Sequence, residues 1–181
     1  MQSSGESFEK MLTGGHPNSL GRTLEVVDQV LNDQGKLEEL YQGYFSEDAI
    51  VRLRVSSAIK RVAKKRPEWV VPYLDGLQDE IAKIDQASTQ WTLAELFRLL
   101  QPFLTPIQMK KALTHLKHNL ENHSDWIVLN TTMETLFDWS KKDRGLRRWL
   151  KPRLERLTKE SRKSVAGRAS KYLKQIAASE R

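Results

Sequence analysis

Apolar residues recur along this chain with a helical period. In SEDAIVRLRVSSAIKRVAKKRPEW, residues 46–69, they fall at Val51, Val55, Ala58, Ile59 and Val62. That is the i, i+4, i+7, i+8 stripe of an amphipathic helix. Pro67 ends it, because proline cannot continue the backbone hydrogen bonding. Upstream, Leu37, Leu40, Tyr41 and Tyr44 form another stripe, closed by the turn Ser46-Glu47-Asp48. Residues 35–66 therefore read as helix, short turn, helix.

The pattern returns. After 38 residues, STQWTLAELFRLLQPF places Leu93, Leu96, Phe97 and Leu100 on one face. A further 39 bring Val128, Thr132, Leu136 and Trp139, and 37 more bring Val165, Ala169, Leu173 and Ile176. Each of these second helices follows an apolar first helix, in VVPYLDGLQDEIAKI, PIQMKKALTHLKHNL (core Leu113, Leu116, Leu120) and LRRWLKPRLERL. NSLGRTLEVVDQVL adds a partial opening unit with Leu20, Leu24, Val27 and Leu31. Two helices per ~38 residues predict an all-α chain, a right-handed α-α superhelix of about four to five helix pairs. Its units are 18–34, 35–69, 70–102, 105–141 and 144–178. A polar segment, 1–17, precedes them, with Phe8, Met11 and Leu12 as a short capping helix, and 179–181 form a tail.

LEELYQGYFSEDAIVRLRVSSAIKRVAKKRPEW closely resembles a HEAT repeat: Asp48 between the helices, Val51-Arg52 three residues on, small Ala58, and a proline after the second helix. The resemblance implies that Asp48 caps the second helix and that Arg52 bonds to a neighbouring unit. The capping role also follows from the free N–H groups and dipole of a helix start. Asp125 repeats it, with Leu129 where arginine is expected. Such armadillo-like arrays bind proteins or nucleic acids.

Second helices of a helix-pair solenoid line its concave, binding side. Facing away from the core stripes are Leu53, Ser57, Lys60 and Lys64; then Trp91, Glu95 and Arg98; then Asn130, Glu134 and Phe137; then Gly167, Lys171 and Lys174. The opening helix adds Arg22, Glu25 and Gln29. Trp91, beside Glu95 and Arg98, is the sharpest cluster, either as a hot spot on the groove or packed on the preceding helix. Trp69, Trp126, Trp139 and Trp149 read as packing residues, and Gly167 as a point of close helix approach.

The Trp91–Glu95 spacing is also similar to the HEAT-like DNA alkylation repair glycosylases, in which one helix carries Trp and an Asp four residues later. Following helices of that family add Arg and a second Trp. Here those positions fall near Asn130 and Gly167. The resemblance makes a base-excision enzyme the third reading, with an altered residue set.

Charge sharpens the picture. The formal net charge is +7, yet from Ser140 on there are 15 Lys/Arg against 4 Asp/Glu. Arg147, Arg148, Arg153, Arg156, Arg162, Lys163, Arg168, Lys171 and Lys174 form a candidate basic patch for phosphates, an acidic partner or solvent. The chain has no cysteine, which excludes disulfides, thiolate metal sites and cysteine nucleophiles. His115 and His118 read as a solvated pair, with His123 and Asp125 nearby. No phosphate-cradling glycine loop or serine-histidine arrangement stands out. No catalytic residue, metal or cofactor is therefore expected.

The sequence thus leads to a cytoplasmic, non-catalytic scaffold binding an unknown protein or nucleic acid through its concave face, without a membrane, and as a possible homodimer. Phosphate-backbone binding by the basic terminal repeat is the alternative.

Overall fold

A computed structural model describes residues 5–180. The first four residues of the polar opening segment and Arg181 of the tail lie outside the described residues. Among the described residues the elements are helical, with no strand. The chain forms two compact units, one ending at Phe103 and the other beginning at Leu104.

The first unit holds α1 (Phe8–Leu12), α2 (Thr23–Asn32), α3 (Leu37–Gln42), α4 (Ala49–Lys65), α5 (Pro67–Val70), α6 (Leu74–Asp79) and α7 (Ala87–Leu99). Helix α4 packs between α2 and α7 and rests on α1, α3 and α5. Its stripe Val51, Val55, Ala58, Ile59 and Val62 is fully buried, as its spacing predicts. Leu93, Leu96, Phe97 and Leu100 are buried likewise. Burying each such large side chain contributes about 1.5–3 kcal/mol.

The inter-helix residues do what the turn chemistry requires. Asp48 Oδ1 accepts from the Ile50 N–H at 2.8 Å, satisfying a free donor at the start of α4. Arg52 donates to the Ser46 carbonyl at 2.6 Å and to Gln86 Oε1 at 2.8 Å, and Gln86 donates to the Ala49 carbonyl at 2.9 Å. The turn before α4 is thereby tied to the residue preceding α7.

Two expectations in this unit need correction. In the opening helix the buried residues are Thr23, Val26, Val27 and Val30, while Leu20 and Leu24 stay 41% and 49% exposed. The helix begins only at Thr23, after Gly21, and its inward face lies one residue before the expected stripe, with Val27 common to both. In VVPYLDGLQDEIAKI a single helix does not form. Pro72 lacks an N–H, and the chain runs through tight 3-10 turns at Val71–Tyr73 and Ile81–Lys83 on either side of α6. Gly76 brings that segment so close to α3 that a Cβ would collide with the Tyr41 hydroxyl.

The second unit holds α8 (Pro106–Asn122), α9 (Trp126–Ser140), α10 (Arg144–Leu157) and α11 (Lys163–Ser179). Thr105 and Gln108 make a reciprocal capping box at α8. Asp125 accepts from Ile127 and Val128 N–H at 2.8 and 3.1 Å, and Asp143 from Leu146 N–H at 2.9 Å. Helix α9 packs against α8, α10 and α11. Val128, Thr132, Leu136 and Trp139 are buried as expected. On α11 the buried row is Val165, Ala169, Tyr172 and Ile176, with Leu173 only half-buried. On α8 Ala112 takes the inner position expected of Leu113. Trp126, expected to pack, remains 40% exposed at the first turn of α9.

Candidate binding site

In the first unit the α4/α7 face brings four of the expected residues together. Lys60 Nζ of α4 lies 2.8 Å from Glu95 Oε2 of α7, and both side chains are half-buried. With Lys64, Arg98, Leu99, Gln101 and Pro102 they line a hollow of about 340 Å³. Lys64 is exposed at the next turn of α4. The hollow thus presents three cations against one carboxylate.

Trp91 is half-buried and stands in the wall of an adjoining hollow of about 160 Å³, which shares Lys60 with the first. Leu53 and Ser57 line it as well. Arg22, Glu25 and Gln29 line neither hollow. Arg22 pairs with Glu25 at 2.8 Å and with Glu6, and these bonds keep the guanidinium pKa above, and that of Glu25 below, its ordinary value. Gln29 accepts from Lys36 at 3.0 Å.

The far wall of the Trp91 hollow is Pro17, at the end of the polar segment, with Asn18, Ser19 and Leu20, which were expected in the opening helix and lie before its start at Thr23. Arg54, only 2% exposed, holds that wall. Its guanidinium donates to the carbonyls of Leu12 at 2.7 Å, Thr13 at 3.4 Å, Gly14 at 2.6 Å, His16 at 3.3 Å and Ser19 at 3.3 Å. A planar cation with five N–H groups suits such a cradle of oxygens. Gly21, at φ +51, closes the loop in the left-handed region, where a Cβ would sit 2.9 Å from Arg54 Cζ. The signal that could have exposed this cradle was TGGHPNSLG, a run dense in turn residues, opposite an arginine on the inner side of α4.

In the second unit the expected face is only partly formed. Asn130 is buried at 6% exposure, its amide donating to Ser164 Oγ at 3.4 Å, and Phe137 is buried and stacked on Tyr172 at 4.2 Å between centroids. Phe137 lines a separate hollow of about 270 Å³ with Arg147 and Ile176. Both residues are buried because α9 has three helical neighbours, so most of its circumference is interior. Glu134 binds Arg168 of α11 at 3.1 Å. Those two, with Lys163, Ser164, Gly167, Lys171 and Tyr172, line a hollow of about 500 Å³. Gly167 has nothing within 4 Å of where its Cβ would be. It therefore does not serve the close helix approach expected of it. Lys174 is exposed on α11 outside this lining.

The basic patch divides by helix. On α10, Arg147 donates to the Ser140 and Lys141 carbonyls at 3.2 and 2.8 Å, at the C-terminus of α9. Arg153 pairs with Glu121 at 2.6 Å and lies 4.0 Å over the Trp149 ring, while Arg156 donates to the Leu120 carbonyl at 3.2 Å. These three are committed within the unit. Arg148, Arg162, Lys163, Lys171 and Lys174 are exposed, the lysines along α11.

His115 also departs from its expected solvated position. It is half-buried, its ring 3.3 Å from Asn119 Nδ2, and burial, with a smaller contribution from His118, pushes its pKa down to about 4. His118 is exposed, whereas His123 Nδ1 accepts from the Asp125 N–H at 3.0 Å. Among the described residues no group of three or more His, Cys, Asp or Glu converges as a metal site would require. No helix among them is long and apolar enough to cross a membrane.

The chain matches no family model, no curated protein and no solved structure.

Proposed function

We propose that this chain is a non-catalytic, HEAT-like cytoplasmic scaffold whose helix pairs form a right-handed superhelix and bind a macromolecular partner through exposed second-helix faces. The observation that carries the reading lies in the first unit. There Trp91, Lys60, Lys64 and Arg98 surround two adjoining hollows, an aromatic and cations set together as in binding hot spots. The Asp48 cap and the Arg52–Gln86 tie support the reading, since the HEAT resemblance implies such a cap and such an arginine bond to a neighbouring unit. Glu95, the one carboxylate placed beside Trp91 for base excision, is engaged by Lys60, which favours a structural role for it.

The test is a photo-crosslinking amino acid placed at Lys64, with a control at Asp79 on α6, in extracts of the cell of origin. The reading expects a partner crosslinked from Lys64 and not from Asp79. Equal crosslinking from both, or a turnover abolished by a single substitution in either hollow, would overturn it.

Phosphate-backbone binding by α11 is a second reading, favoured by its exposed Lys163, Lys171 and Lys174 around the uncovered Gly167. Three neutralised phosphates correspond to a slope of log affinity against log salt of about −2.7 on duplex DNA. Gly167→Glu removes that binding without a packing cost, because the new side chain enters open space. A duplex that binds both forms equally in an anisotropy titration disposes of this reading.

A further inference from the structure

The two hollows of the first unit differ in their charged lining, and the difference points to the partner's chemistry. The smaller has Pro17, Leu20, Leu53 and Trp91 as its apolar walls, with Asn18, Ser19, Ser57 and Thr92 between them. Leu20 is left 41% exposed there, an apolar side chain with one flank uncovered. Its volume of about 160 Å³ suits a single apolar side chain. The larger is cationic, with Lys60, Lys64 and Arg98 against Glu95, beside Leu99 and Pro102. Lys60 borders both, so a ligand filling the first meets the cations of the second directly.

We infer that this paired hollow docks a peptide segment of a partner protein in which an aliphatic or aromatic residue is followed within a few positions by Asp or Glu. The inference deepens the scaffold reading and rests on it. The anchor gains burial against Leu20, Leu53 and Trp91, and the carboxylates are drawn to the exposed Lys64 beside the Lys60–Glu95 pair. A base-stacking platform offers an open ring face; here the indole is one wall among aliphatic walls, which favours an apolar side chain over a nucleobase.

Arg54 is the positioning residue of this site. The loop after α1 has one backbone turn bond of its own at the hollow's wall, Ser19 N–H to the His16 carbonyl at 2.9 Å, and the five carbonyl contacts from Arg54, the last to Ser19, tie it to α4. A wall held before binding saves the ordering cost at the moment of docking. The buried cation, with carbonyls rather than a carboxylate around it, thus serves the groove as well as the fold.

The experiment is selection of random dodecapeptides displayed on phage against the full-length chain, followed by anisotropy of the enriched peptides. The expected motif is one apolar residue with acidic residues close by. Leu20→Asp and Lys64→Glu, both at exposed positions that leave the core intact, should each weaken such a peptide by at least about tenfold, the scale of one lost charged or apolar contact. Lys65→Glu, exposed on the same helix and outside both hollows, should leave affinity within about twofold, as a screened surface charge does. Enrichment of basic peptides, no enrichment over the bare support, equal loss in Lys65→Glu, or displacement of the peptide by a single-stranded oligonucleotide at equal concentration overturns the inference. A Lys64 crosslink that persists while the selection yields no acidic motif separates the two: the scaffold reading survives and the peptide chemistry fails.

Discussion

Arg54 and the glycines around it show how differently one residue type can act in this chain. Gly21 holds a left-handed backbone against the Arg54 guanidinium, whereas Gly167 lies in the middle of α11 facing open space. The same substitution therefore has opposite signs at the two sites. Gly21→Ala should cost about 1–3 kcal/mol, from forced left-handed backbone and the crowded guanidinium. Gly167→Ala should add about 0.5–1 kcal/mol, the helix-propensity gain with nothing to clash against. Urea unfolding of the two variants checks both. The sequence displayed each glycine equally plainly; only the neighbours distinguish them.

At the scale of elements, the helix starts were legible because capping is local chemistry. Asp48 and Asp125 lie in the chain two or three residues before the N–H groups they accept from, so their spacing alone announces the role. The Ile50 N–H, and then the Thr13 hydroxyl, hold the Asp48 carboxyl below its ordinary pKa of 3.8. A depressed carboxylate stabilises the fold above its unfolded pKa, and that contribution is lost as pH falls through the folded value. Asp48→Asn keeps an acceptor and removes the titration, so its acid-unfolding limb below pH 3.8 should be shallower.

His115 on α8 titrates the other way in charge and the same way in stability. Its ring is kept neutral by burial, so the unfolded chain takes up the proton first. Stability should fall as pH drops from 6.5 towards 4, and His115→Gln should flatten that stretch of the profile. Helix faces were less legible than helix starts. Leu24, Leu113 and Leu173 fit the apolar period, yet Val26, Ala112 and Tyr172 take the inner positions. A stripe wide enough for two registers leaves the choice to the neighbouring helix.

At the scale of the whole molecule, charge is the dominant inequality. The first unit carries 12 Lys/Arg and 15 Asp/Glu, the second 18 and 8. Like charges crowded on the second unit repel one another in the folded state. Raising the ionic strength from about 20 mM to about 200 mM should therefore raise the melting temperature, because screening shortens that repulsion. The same change should weaken any anionic ligand. Opposite responses of stability and binding to one salt titration would be the signature of charge retained for a partner; a melting temperature that falls with salt would remove the repulsion argument.

The sequence by itself determined that this chain is helical, where its longer helices begin, and which end is basic, because periodicity, capping and charge are properties of neighbours along the chain. Tertiary structure decided what those helices present. It buried Asn130 and Phe137 because α9 has three helical neighbours, turned Arg147, Arg153 and Arg156 inward onto carbonyls and Glu121, and built the wall of a hollow from loop 12–20 by closing it on Arg54. Apart from Arg147, whose carbonyl partners lie six and seven residues away, those outcomes depend on contacts between residues some 30 to 40 positions apart, and no local period records them.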